Sequence, residues 1–307
     1  MTQLVIFTAP KPFKNPHIST IQTNAIRSWT EMGREVEIVL LGKDEGIGEA
    51  AKKLDVNHIP DIEVNAQGTP LISSMVALTR QHFPAPLYMI INTDILLFPE
   101  ILASIQKTRE QADQFLMVGQ RWDLPITELL NFSAGWEDQL KNRVITNGSL
   151  HPRGGSDYFI FPDYCYQSVP DFAIGRAGWD NWMIYEGRHQ GWRVIDATRD
   201  VMAVHQNHDY SHLPDGKPHY KLPETFENIR LAGGERTIFT LMDTDAVLVD
   251  GKVKKAGLNW TKFWREVEVF PLIRLKSYTL AQLFYAAFHP VKAYREFRAW
   301  KRNKDRE

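Results

Sequence analysis

Pro86–Pro99, PLYMIINTDILLFP, is the stretch on which the reading of the chain turns. Leu87 to Ile91 is apolar without alternation, which predicts a strand covered on both faces of a sheet. It runs into Asn92-Thr93-Asp94 and then into apolar residues again. The carboxylate of Asp94 therefore falls at the strand's C-terminal end, the edge at which open α/β sheets bind ligands. Two readings of Asp94 stand side by side. It holds a hard divalent cation, Mg²⁺ or Mn²⁺, together with a diphosphate, or it caps the helix that follows.

Outward from this strand, the chain alternates strand and helix. Leu4 to Thr8 ends in Ala-Pro-Lys-Pro and leads to a helix from about Ser19 to Met32, stopped by Gly33. Glu35–Leu41 and Val56–Ile59 are the next strands, separated by a short helix around Glu49–Lys53. A helix over roughly Leu71–His82 precedes the opening strand. This alternation predicts an α/β fold, a mostly parallel sheet with helices on both faces. Beyond it come a helix over Pro99–Ala112 and a strand over Phe115–Gly119. The polar, aromatic stretch from Arg121 to Gly155 carries one helix over Ile126–Asn142. Tyr158–Phe161, Arg193–Ala197 and Val201–His205 are further strands, and Trp179–His189 is a helix stopped near Gly191.

With no repeat and no clean linker, residues 1–234 form one domain. Residues 235–307 form a C-terminal extension, a hairpin at Val247–Val253 with an Asp250-Gly251 turn followed by a helical tail. From Tyr278 to Glu307 the tail reads as one or two helices broken at Pro290. Tyr294, Phe297 and Trp300 alternate there with Lys292, Arg295, Arg298, Lys301, Arg302, Lys304 and Arg306. This segment either adsorbs to an anionic membrane surface or packs on the domain with a solvated basic face.

Composition narrows the partners. Among 307 residues, 36 basic side chains stand against 37 acidic ones, so no global field favours nucleic acid. The single cysteine, Cys165, excludes an internal disulfide framework and fits a reducing compartment as a buried small hydrophobe. No apolar run approaches the ~20 residues that span a bilayer, and no leader is evident, so a cytoplasmic protein is expected.

Three further constellations carry polar chemistry. Gly175-Arg-Ala-Gly-Trp-Asp180 places Asp180 at a helix N-terminus, where amides and the helix dipole ordinarily lower a carboxyl pKa. Such a carboxylate can cap the helix, or accept a proton from a hydroxyl as that hydroxyl attacks. In Val201-Met-Ala-Val-His205 a strand delivers a histidine to its end, with His208 and Asp209 following. The cysteine count excludes a thiolate zinc site. Arg153-Gly-Gly-Ser-Asp157 puts glycines just before a strand, either as a tight turn or to let a ligand approach the backbone. A fourth segment, Leu231-Ala-Gly-Gly-Glu-Arg-Thr237, echoes the glycine-rich loop of sugar-phosphate nucleotidyltransferases. That loop follows the first strand, where this chain has Thr8-Ala-Pro-Lys-Pro.

Taken together these residues resemble the GT-A-fold glycosyltransferases of the nucleotide-diphospho-sugar transferase superfamily, over roughly Leu4 to His208. Asn92-Thr93-Asp94 is similar to a degenerate Asp-x-Asp motif, with Asp94 in the metal-holding position. Gly154-Gly155-Ser156-Asp157 resembles the donor-sugar segment, and Trp179-Asp180-Asn181 the region that supplies the acceptor-activating base of inverting members. His205 falls where many members place a metal-binding histidine. GTPL, INTDI, GGSDYFIFP, IGRAGWDNW, VIDAT, VHQNHDYSH and ENIRLAGG together resemble a group of bacterial glycosyltransferase-like proteins.

The resemblance implies a Rossmann-like GT-A sheet and a metal-dependent transfer of sugar from a nucleotide-diphosphate donor, a UDP-sugar in preference, to a glycan or lipid-linked acceptor. It implies Mn²⁺ or Mg²⁺ on Asp94 with His205 and His208, and Asp180 as base. Thr8, Pro10, Asp44, Asn92 and Thr93 would contact the donor nucleotide. Gly154, Gly155, Ser156, Asp157, Trp179 and Asn181 would contact the donor sugar or the acceptor, with Trp122 and Trp136 as further stacking surfaces. Two departures stand out. Asn92 replaces the first acid of Asp-x-Asp and so makes the histidines more necessary, and Trp179 replaces the Glu before the base. The rivals are a glycan-binding scaffold of the same fold and a nucleotidyltransferase.

Overall fold

The computed structural model describes residues 2–208 and 222–304. β1 (Leu4–Thr8), β2 (Val36–Leu41) and β4 (Leu87–Ile91) form the parallel centre of a nine-stranded sheet, flanked on one side by β3 (Asn57–Ile59). On the other side β9 (Tyr158–Pro162) pairs antiparallel with both β4 and β6 (Phe115–Val118). β10 (Arg193–Asp196) and β12 (Ala246–Val249) follow in parallel, and β13 (Lys252–Lys255) closes the edge. The hairpin expected at Val247–Val253 therefore completes the edge of the main sheet.

Alternate residues of each central strand feed different cores, as the pleat requires. Val5, Phe7, Tyr88 and Ile90 pack with α3 (Ile72–His82) and α6 (Trp179–Gln190). Leu4, Ile6, Leu87, Met89 and Ile91 pack on the opposite face with α1 (Pro16–Thr30), α2 (Ile47–Leu54) and α4 (Ile101–Arg109). The expected sheet with helices on both faces is present.

α1 starts earlier than the apolar period suggests because Asn15-Pro16 is a cap followed by a first-turn proline. The Asn15 side chain accepts from the His17 and Ile18 amides at 2.9 and 3.2 Å. Trp29 of this helix is fully buried and donates from Nε1 to the Ile95 carbonyl at 3.0 Å.

That carbonyl belongs to a second, four-stranded sheet, ordered β5 (Ile95–Leu96), β11 (Ala203–Gln206), β7 (Arg121–Leu124), β8 (Ser149–Leu150). Its apolar side packs with α5 (Trp136–Asn147) in a third core. The helix expected over Ile126–Asn142 thus begins ten residues late. Gly135 adopts a left-handed φ of 82° at the N-cap, and Ile126 packs in the core of the small sheet instead.

α7 (Pro223–Leu231) ends in Gly233 and Gly234, whose φ values of 97° and 98° turn the chain out of the helix. The Leu231-Ala-Gly-Gly echo is thus a helix exit. α8 (Trp260–Ile273), α9 (Tyr278–Phe288) and α10 (Pro290–Lys304) complete the tail, and the break does fall at Pro290. Trp300, Arg302 and Lys304 belong to α10, whereas Arg306 lies outside the described residues. Among these helices sits a cavity of about 430 Å³, with Arg236, Arg265, Glu268 and Lys292 on its wall. None of the helices in the described residues is long and apolar enough to cross a membrane.

Candidate active site

A larger cleft, of about 650 Å³, opens where β1, β2 and β4 end, with Thr8, Lys11, Asp44 and Asp94 among its lining residues. Because β9 runs antiparallel beside β4, residues entering β9 arrive at the same edge as residues leaving β4. The Asn92 amide accordingly donates to the Asp157 carbonyl at 3.0 Å, which sets Gly154–Asp157 beside Asn92–Asp94. The small sheet supplies the histidines. In its register His205 lies opposite Asp123 on β7 and Ile95 on β5, and the Gln206 amide donates to the Asp94 carbonyl at 3.1 Å.

Asp94, His205 and His208 each offer one ligand atom, and these atoms lie within 4.8 Å of one another. Asp94 Oδ2 is 3.0 Å from His208 Nε2, and Lys11 Nζ is 3.2 Å from that nitrogen and 3.8 Å from the carboxylate. Among the described residues the other carboxylate oxygen, Asp94 Oδ1, is buried with no hydrogen-bond partner, as is His205 Nδ1, which lies 3.1 Å from Asp123 Oδ1 without bonding geometry. Burial pushes the Asp94 carboxyl up, but the hydrogen bond from His208 and the charges of His205, Lys11 and His208 outweigh it. The net result is a group held far below the ordinary carboxylate range.

Burial also lowers His205 and Lys11, against the opposing pull of Asp94. A buried anionic oxygen without a donor is costly, and an imidazole biased to its neutral form is a ligand. The trio therefore fits a divalent cation. The capping alternative for Asp94 fails, because β5 follows it directly and α4 has Glu100 at its N-cap with no side-chain bond. Asp209, the next residue after His208, lies outside the described residues.

Asn92 has a different task from that of a first motif acid. Its Nδ2 donates to Asp157 Oδ1 at 2.8 Å, and Arg121 Nη1 donates to both oxygens of Asp157 at 2.7 Å. Arg121 Nε also reaches Asp123 Oδ1 at 3.0 Å, and Asp123 Oδ2 lies 2.7 Å from His151 Nδ1. Asn92 is thus a neutral donor to the Asp157 carboxylate beside the metal trio.

Asp180 sits in the first turn of α6 and lines the cleft. Its Oδ1 accepts from the Gly178 amide at 3.2 Å. Burial dominates over this bond and over the other nearby amides, and pushes the carboxyl up to about 6. The lowering expected from the helix N-terminus is reversed, because removing the carboxylate from water costs more than a few amides return. Gly178 is needed for this approach. Its φ is 109°, and a Cβ there would lie 3.3 Å from the Asn228 side chain and 3.4 Å from the Ile229 amide nitrogen.

The cleft collects most of the other residues singled out from the sequence. Thr8 and Thr93 hydrogen-bond through their hydroxyls at 2.8 Å, and Pro10 and Asp44 line the cleft with them. Among the described residues Ser156 Oγ is buried without a partner, and a Cβ on Gly154 would meet nothing within 4 Å, so this loop leaves room and an unused polar atom. Asn181 lines the cleft, but its Nδ2 is engaged with the Phe239 carbonyl at 2.6 Å. Trp179 is buried against Phe159, ring centroids 5.1 Å apart. Trp136 stacks on Phe98 and Trp122 packs in the same third core, so neither is a stacking surface of the cleft.

Lys11, Arg121, Asp123, His151 and Arg176 escaped the sequence reading. Lys11 had a visible signal, a lysine between two prolines at the end of the first strand, and Gln22 of α1 pins it by bonds to its backbone N–H and C=O at 2.7 and 2.9 Å. Arg121 and Asp123 gave none, since β7 is a four-residue strand in a polar stretch.

Comparison with known proteins finds no matching family model and no matching curated sequence. Solved structures do match. A mannosyltransferase from Pyrobaculum calidifontis, in complex with GDP-Man and Mn²⁺, is 13% identical over 66% of this chain and 56% of its own, with a TM-score of 0.41. This chain thus spans little more than half of that mannosyltransferase. Glucosyl-3-phosphoglycerate synthase from Mycobacterium tuberculosis, in complex with Mn²⁺, UDP and its product, is 13% identical over 84% of this chain and 88% of its own, at 0.47. A putative nucleotide-diphospho-sugar transferase from Desulfovibrio desulfuricans is 10% identical over 76% and 98%, at 0.40. These likenesses are loose, and the function proposed below rests on the cleft itself.

Proposed function

We propose that the chain is a metal-dependent glycosyltransferase that moves a sugar from a nucleotide-diphosphate donor, a UDP-sugar in preference, to a hydroxyl of a glycan or lipid-linked acceptor. One observation carries the reading. A single cleft pairs the Asp94, His205 and His208 trio, with its unpartnered buried oxygen, with Asp180, a carboxyl pushed up to about 6.

In this reading Asp94, His205 and His208 hold Mn²⁺ or Mg²⁺, and two imidazoles beside one carboxylate favour Mn²⁺. When bound, the ion supplies Lewis-acid stabilisation of the charge that develops on the leaving diphosphate. Lys11, already against Asp94 and His208, pairs with a phosphate oxygen of the donor. Thr8, Pro10, Asp44 and Thr93 border the nucleoside, and Gly154, Gly155 and Ser156 the sugar. Asp157, its oxygens taken up by Arg121 and Asn92, orients that loop and presents its remaining lone pairs to a sugar hydroxyl.

Asp180 accepts the acceptor's hydroxyl proton as the hydroxyl oxygen attacks the anomeric carbon. The new C–O bond forms as the bond to the diphosphate breaks, with inversion. A carboxyl titrating near 6 is mostly ionised at neutral pH and is a stronger base than an ordinary carboxylate.

Calorimetric titration with Mn²⁺ and UDP, GDP and CDP, followed by assay of the corresponding sugar nucleotides, tests the proposal. Metal-dependent binding of one nucleotide and release of that nucleotide from its sugar donor are expected. Absence of any metal-dependent nucleotide binding would leave the glycan-binding scaffold as the better reading.

A further inference from the structure

The second feature that asks for a partner lies away from the cleft, on the C-terminal helices. The described residues include nineteen exposed large apolar or aromatic side chains, and twelve of them fall between Leu258 and Phe297. Such a concentration is unlike the scattered single hydrophobes of an ordinary surface. Trp260 is 73% exposed, Leu283 62% and Tyr294 61%. Trp260, Phe263 and Trp264 form one aromatic cluster with centroids 5.2 to 6.1 Å apart, and Trp264 meets Phe288 at 5.8 Å, which joins the exposed faces of α8 and α9.

The charge around these residues is one-sided. Residues 258–304 contain ten Lys and Arg against three Glu, whereas the whole chain has 36 basic and 37 acidic side chains, so the remainder is net acidic. Arg274 and Lys276 are exposed between α8 and α9, and Lys292, Arg295 and Arg298 are exposed beside Tyr294 and Phe297 on α10.

We infer that α8–α10 form a docking surface for an anionic lipid bilayer. Tryptophan and tyrosine favour the headgroup level, where an apolar ring body and a polar tip are both accommodated. Lysine and arginine among them are attracted to anionic headgroups. A second copy of this chain fits poorly, because two such basic faces repel each other. Since no helix of the described residues can span the membrane, the chain lies on the surface. This inference goes beyond glycosyl transfer and does not rest on it.

Co-sedimentation of the full chain with vesicles tests it without any enzyme assay, so its failure leaves the reading of the cleft untouched. Binding is expected to vesicles of phosphatidylcholine mixed with phosphatidylglycerol, not to pure phosphatidylcholine, and to weaken as salt is raised. The double variant R295E/R298E should lower partitioning by roughly 10-fold or more. W260S/F263S should also lower it, with far-ultraviolet circular dichroism at the assay temperature checking that the fold persists. No binding to the anionic vesicles overturns the inference. So does equal binding to both vesicle types, or a dimer in light scattering that W260S/F263S dissolves while vesicle binding is absent.

Discussion

Asp94 and Asp180 are the same residue type in the same cleft, and their surroundings drive them in opposite directions. Burial raises both. Around Asp94, Lys11, His205 and His208 overcome that cost and hold the carboxyl far down. At the start of α6 backbone amides offset less of that cost for Asp180, the charge of Asp157 adds to it, and the carboxyl stays up at about 6. In the proposed reaction the difference would divide labour. A carboxylate that is always ionised suits a cation, and one that titrates near neutrality suits a proton.

The largest effect that can break this comparison is on turnover. Asp180→Ala should lower sugar transfer by about 10²–10⁴-fold while leaving Mn²⁺ affinity unchanged, and Asp94→Ala should abolish both. Calorimetry beside a turnover assay separates the two. An Asp180 variant with wild-type turnover removes that residue from the chemistry.

The pH dependence follows from Asp180. With its carboxyl at about 6 in the fold, it is protonated and inactive as a base below that value, so turnover should rise through pH 6 and level above it. Asp180→Asn should erase this limb along with the activity. A raised folded pKa also means that the ionised group opposes folding, fully above the folded value and not at all below the ordinary carboxylate value. Asp180→Asn should therefore stabilise the protein by up to about 2–3 kcal/mol at pH 8, and the gain should vanish by pH 3.5. Thermal melts across pH read this directly.

Asn92→Asp separates family pattern from local need. It would restore the acidic pair of an Asp-x-Asp motif, yet here it replaces a donor to Asp157 by a second carboxylate. A destabilisation of about 1–3 kcal/mol is expected, measured by denaturant melts. A gain in metal affinity without that cost would show that Asn92 is a replaceable ligand. The smallest effect concerns Asp123, which stands 3.1 Å from His205 Nδ1. Asp123→Asn should weaken Mn²⁺ binding by only about 2- to 5-fold, by removing a negative charge from beside a ligand.

The sequence by itself determined the alternation of strand and helix, the two-faced sheet and the placing of Asp94 at its ligand edge. These follow from local apolar periods and from the direction of parallel strands. It also picked out His205 and His208, through a strand that ends in histidine. Only the tertiary structure decided what Asn92 does and which way Asp180 titrates, because both depend on side chains brought from 65 residues away or on the depth of a cleft. Arg121 and Asp123 were hidden for the same reason. They sit in a strand too short to show a period, and the antiparallel entry of β9 and the register of the small sheet alone bring them to Asp157 and His205.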